Sequence, residues 1–190
     1  MTRAPNIEVG DGVFFDISDV KPEMVCVEDI ATSLANTCRW RGHIIDGKYY
    51  SVAEHAVRVM HLMEERGFSG EYTHAGLHHD SHEAYVGDTP TPFKPVLLRP
   101  RYEFIVAKID AAIGIAVGTN DFLFHSVPVK QADADMLMVE ADQLKASKGV
   151  GDHYGLPPKS RPDMVLGWQP DYARRMFLRA HHTGRSGLCD

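Results

Sequence analysis

The residues richest in chemistry lie between Thr73 and Lys94 of this 190-residue chain. That stretch holds four histidines (His74, His78, His79 and His82), three carboxylates (Asp80, Glu83 and Asp88) and the terminal Lys94. A stable core has no use for so many titratable groups in one place. Metal chemistry on phosphates does, and the adjacent pair His79-Asp80 is the expected centre of a divalent-metal site. Two ligands are too few, so others must come from outside the stretch, with His55 and Asp133 as the candidates. Imidazoles and carboxylates without a thiolate suit one divalent transition ion such as Zn²⁺, Mn²⁺ or Co²⁺. Such an ion acidifies water and polarises a phosphoryl oxygen.

These residues can meet only if several helices bring them together. Ser51-Val-Ala-Glu54 reads as a capping box, with the Ser side chain accepting from an amide while Glu54 reaches back. The helix it opens carries Val52, Ala56, Val59 and Met63 on one face, has His55 beside that face, and stops at Gly67. A preceding helix is expected from Glu28 to Cys38, ended by Arg39-Trp40-Arg41-Gly42 with Gly42 as its C-terminal stop. The titratable stretch reads as a polar helix over 72–86, ended by Gly87 and the Thr89-Pro-Thr-Pro segment. Further helices are expected over 102–115, with Phe104, Ile105, Ile109, Ala112 and Ile113 as the apolar stripe, and over 127–145, with Pro128 in its first turn. The last runs over 172–181 with Tyr172, Met176 and Phe177 inward. Residues 1–23 read as an extended surface arm, with a brief strand near Val13-Phe14-Phe15, and 149–169 as a long loop over a site mouth. The expected architecture is all-α, a single-domain bundle of about six helices, in whose core facing helices can build a metal site.

Composition narrows the function classes. The chain is 44% hydrophobic and 24% charged, with a net charge of −6 and no basic run. This is an ordinary globular composition that argues against binding of duplex nucleic acid. The three cysteines, Cys26, Cys38 and Cys189, have no paired spacing and read as reduced thiols. No apolar run approaches the roughly 20 residues that span a bilayer, so no membrane partner and a cytoplasmic location are expected.

Taken together, Ser51-Val-Ala-Glu-His55, then Leu77-His-His79-Asp80-Ser-His-Glu83-Ala-Tyr-Val-Gly-Asp88-Thr-Pro-Thr-Pro-Phe-Lys94, then Val129-Lys-Gln-Ala-Asp133, resemble the HD-domain metal-dependent phosphohydrolases. Within that superfamily the chain is most similar to small bacterial 5′-deoxynucleotidases and phage deoxynucleoside triphosphohydrolases of the dATP type. The resemblance covers residues 28–146 and is strengthened by Glu83, by the Gly-Asp-x-Pro-Thr-Pro-x-Lys segment and by Arg39-Trp40. It implies an HD-domain fold and His55, His79, Asp80 and Asp133 as metal ligands. Asp135 competes with Asp133, but would face about 200° round the helix. The resemblance further implies Glu83 and Asp88 as catalytic carboxylates. Arg39 and Lys94 are the matching substrate-binding cations, and Trp40 is a platform for base or sugar. An additional Mg²⁺ would accompany the substrate phosphates, and a homo-oligomer is implied by analogy. Arg41 and His43 are further cations nearby.

The expected reaction is hydrolysis of a small-molecule deoxynucleotide, most simply a dNTP cut to deoxynucleoside and triphosphate. A dNMP 5′-nucleotidase, a hydrolase of a signalling nucleotide and a non-catalytic, metal-stabilised binding module are the alternatives. Of the other histidines, His61, His125, His153, His181 and His182 have no obvious companion in the sequence.

Overall fold

A single helix, α2 (Val52–Glu65), is the axle of the molecule. The computed structural model describes residues 6–90, 99–148, 161, 163–164 and 166–188. Ser51 caps α2 as expected, its hydroxyl accepting from the Glu54 N–H at 3.1 Å. Glu54 does not complete the box. It is fully buried, pairs with Arg58 at 2.7 Å, and accepts from the backbone N–H groups of Gly167 and Trp168. Nor is α2 apolar on one face only: every residue from Val52 to Met63 is buried. The reason is that α1 (Val27–Asn36), α3 (Glu71–His78), α6 (Val127–Leu144) and α7 (Pro170–Thr183) all pack against it. A helix surrounded on every side has no solvated stripe.

The helix expected to reach Cys38 ends at Asn36, so Gly42 is not its stop. Thr37 and Cys38 are extended, and Cys38 forms an antiparallel bridge with Ser51. That bridge ties the end of α1 to the start of α2, with Arg39 N–H donating to Tyr50 O at 2.9 Å. Beyond it, Trp40 (φ 58°, ψ 21°) and Arg41 (φ 54°, ψ 26°) are both left-handed inside a short 3₁₀ turn. Bulky side chains rarely adopt that backbone, so something must hold it.

The helix expected over 72–86 is in fact two. Between α3 and the one-turn α4 (Glu83–Val86), the N–H groups of Ser81, Glu83 and Ala84 each donate to the carbonyl three residues back. Polar side chains compete with the helical ladder here. His78 Nδ1 pairs with Ser81 Oγ at 3.0 Å, and His79 Nδ1 with Gly76 O at 2.8 Å. Gly87 then takes φ 77°, ψ 161°, a region essentially confined to glycine, and turns the chain into Asp88.

The longest helix, α5 (Arg99–Val117), buries Ile109, Ala112 and Ile113, but Phe104 is 62% exposed rather than part of the stripe. In α6, Pro128 sits in the first turn as expected. In α7, Met176 and Phe177 are buried while Tyr172 is exposed, which corrects its inward assignment. The N-terminal arm is a hairpin of β1 (Asn6–Val9) and β2 (Val13–Asp16). It does more than lie on the surface, because Phe15 is fully buried and stacks on Tyr85 at 3.9 Å. Among the described residues, six helices of eight residues or more and the short α4 enclose one core, an all-α bundle. No described helix is long and apolar enough to cross a membrane. Most of the 149–169 loop lies outside the described residues.

Candidate metal centre

His55 comes from the first turns of α2, His79 and Asp80 from the turn after α3, and the partly buried Asp133 from α6. The fold brings all four to one point. His55 Nε2 is 3.1 Å from Asp133 Oδ1 and 3.8 Å from Asp80 Oδ2. His79 Nε2 is 3.3 Å from Asp80 Oδ2 and 3.8 Å from Asp133 Oδ1. Both Nε2 atoms are buried and have no hydrogen-bond partner. Their Nδ1 atoms are occupied, His79 by Gly76 O and His55 by Glu140 Oε1 at 2.6 Å. A proton held on each Nδ1 leaves an Nε2 lone pair aimed between two carboxylates, the arrangement in which imidazole ligates a metal. These groups could hold an ion.

Charge follows the same geometry. Burial by itself would push His79 down, but Asp80 and Asp133 outweigh it and hold the imidazole well above its ordinary value. His55 is opposed by burial and Arg39, yet Glu140 and Asp133 carry it upward. Burial would raise Asp80 and Asp133, but the histidines hold both well below the usual carboxylate range. The competing Asp135 faces elsewhere, taken by Arg66 and by Gln131 at 3.2 Å.

Glu140 is the residue that sequence reasoning missed. Fully buried two turns beyond Asp133 on α6, it receives Arg39 Nε at 3.2 Å, Trp40 Nε1 at 2.9 Å and Tyr50 OH at 3.0 Å besides His55. Burial would raise its carboxyl, and Arg39 and His55 more than compensate. The Trp40 contact anchors the left-handed turn. Trp40 therefore has its indole edge on Glu140, with Lys145 Nζ 5.2 Å over the ring. The seven-residue spacing from Asp133 was the available signal, since it puts the two carboxylates on one helix face.

Arg39 reaches the centre, Nη1 standing 3.6 Å from Asp80 Oδ2. Glu83 is buried at the start of α4, and one of its oxygens lies within 4.8 Å of ligand atoms of Asp80 and His82. Asp88 is half-buried; burial and the charge of Asp80 raise its carboxyl against the pull of Arg39. His82, unplaced by sequence, is buried, with Nδ1 3.0 Å from Asp110 Oδ1 on α5. The other Asp110 oxygen takes His125 Nε2 at 3.0 Å, so His125 does have a companion. Lys94 lies outside the described residues.

No protein-family model matches the sequence. The uncharacterised protein YfdR of Escherichia coli is 36% identical over 177 residues, covering 90% of this chain and 91% of that protein. An uncharacterised protein of Rhodobacter capsulatus is 30% identical over 179 residues, covering 88% and 89%. With similarity of that degree running along nearly the whole of both chains, this protein belongs to the same family as YfdR.

Proposed function

We propose that the chain is an HD-domain phosphohydrolase acting on deoxynucleotides, with a dNTP cut to deoxynucleoside and triphosphate as the favoured reaction. The observation that carries this reading is the pair of buried Nε2 atoms, unpartnered in hydrogen bonding and aimed between Asp80 and Asp133. His55, His79, Asp80 and Asp133 would hold one Zn²⁺, Mn²⁺ or Co²⁺. When bound, that ion supplies Lewis acidity toward a phosphoryl oxygen and lowers the pKa of water.

The remaining chemistry belongs to the chain. Glu83 is close enough to Asp80 for its carboxylate to take the proton of the attacking water. As water bonds to phosphorus, the bond to the 5′ oxygen breaks, and that oxygen needs a proton. Asp88, its carboxyl raised by burial and by Asp80, is suited to keep one on its oxygen and deliver it. Arg39 is fixed through Nε by Glu140, and its Nη groups are in position to donate to phosphate oxygens.

The test is product identification with the four dNTPs and four dNMPs, each with Mn²⁺, Co²⁺, Zn²⁺ or Mg²⁺. Triphosphate and deoxynucleoside from a dNTP support the reading, while phosphate from a dNMP reassigns it to a 5′-nucleotidase. Absence of turnover, with a large fall in Tm on chelation, would leave a metal-stabilised binding module. In a competent enzyme, Glu83→Gln should retain the ion and lose about 10²–10⁴ in kcat.

A further inference from the structure

A second group of imidazoles converges between α3 and α7. His74 and His78 stand one turn apart on α3, and His181 faces them from the last turn of α7. His181 Nδ1 is 3.1 Å from His74 Nε2 and 3.1 Å from His78 Nε2. The remaining nitrogens of the α3 pair are engaged, His74 Nδ1 with Thr119 Oγ1 and His78 Nδ1 with Ser81 Oγ at 3.0 Å.

Hydrogen bonding cannot satisfy this arrangement. An imidazole nitrogen has a single in-plane bonding direction, either an N–H or a lone pair. His181 Nδ1 therefore serves one of its two neighbours in any tautomer, and the other contact remains unmet. A cation between the three nitrogens would satisfy all of them at once. We propose that His74 Nε2, His78 Nε2 and His181 Nδ1 form a second metal site, taking a borderline divalent ion such as Zn²⁺.

The dimensions agree. Tetrahedral Zn–N bonds of about 2.0–2.1 Å set ligand nitrogens roughly 3.3 Å apart. Here two pairs are at 3.1 Å, and one ring nitrogen from each of the three histidines lies within 4.8 Å of the other two. The chemistry agrees too, since neutral imidazole is a preferred donor for such ions. Burial and the neighbouring His181 hold His74 down to about 4, so protons do not compete for it near neutrality. The exposed His182, its ring 5.0 Å from that of His181, is available as a fourth donor. Such an ion would clamp the last helix of the bundle to α3, whose next residues are His79 and Asp80.

The site does not depend on the phosphohydrolase reading, and its test is separate. The metal-stripped full chain is dialysed against Zn²⁺ and bound metal is counted by elemental analysis, with circular dichroism confirming that each variant is folded. Asp80→Ala removes a ligand of the other centre, while His181→Gln and His74→Gln each disable this one. Wild type should bind one equivalent more than either His variant, and Asp80→Ala should keep that equivalent. Equal binding by wild type and a folded His variant overturns the proposal. Should His181→Gln fail to fold, His74→Gln decides alone, because His74 is only half-buried.

Discussion

His78 and His79 are neighbours in the chain, both buried, and their surroundings drive them in opposite directions. His79 turns toward Asp80 and Asp133, which overcome burial and favour its charged form. His78 turns toward His74 and His181, which add to burial and press it well below its ordinary value. The imidazole is the same in both, and what differs is whether carboxylates or other imidazoles surround it. The consequence is two contrasting environments across one peptide bond: an acid-rich centre around His79 and a cluster of imidazoles around His78.

The distinction can be attacked most severely at Glu140. Glu140→Ala strips one buried carboxylate from four donors, and should cost about 3–5 kcal/mol in urea unfolding of the metal-free protein. Loss of the His55 partner should also weaken ion binding at the acid-rich centre by about 10–100-fold in chelator competition. Zinc held by His74, His78 and His181 should be unaffected, and a parallel loss there would erase the contrast.

A finer probe is Asp80→Asn. In the metal-free protein it should lower the His79 pKa, measured by NMR titration of the imidazoles. An unchanged His79 would mean that its carboxylate neighbours do not set the difference.

Stability against pH should separate the two clusters by sign, with the smallest effect. His79 is raised, so in the metal-free protein its contribution is present below the ordinary value of 6.5 and is lost as pH rises through the folded value. His74 is lowered to about 4 from 6.5, so folding favours its neutral form and stability is lost as pH falls through that window. His74→Gln should therefore flatten the unfolding free energy between pH 6.5 and 4, on the order of 1 kcal/mol after solvent screening, without altering the alkaline side.

Legibility from sequence followed the range of the cause. The Ser51 cap, Pro128 in the first turn of α6 and the core periodicity of α1 and α7 are set within a few residues, and they were readable. The convergence of His55, His79, Asp80 and Asp133 was readable because their order and flanking residues resemble a known pattern. Glu140 was not, because its partners Arg39, Trp40, Tyr50 and His55 lie 85 to 101 residues away. His181 was missed for the same reason, 103 residues from His78. The break of the 72–86 helix escaped notice because side chains competing with the backbone decide it, and periodicity is blind to them. Phe104 and Tyr172 fit an apolar stripe, but the bundle leaves those positions outside.

Glu140 also bears on the order in which the acid-rich centre is made. Its donors all lie between Arg39 and His55, 85 to 101 residues away, so it can gather them only when α6 has docked against the start of α2. Once gathered, His55 is locked in its ligating pose by a protein carboxylate, without help from an ion. Metal capture would then be the last event of maturation rather than its trigger, unlike small zinc modules that are unfolded until metal arrives. A cell could thus store the folded chain empty and commit it to whichever divalent ion is at hand.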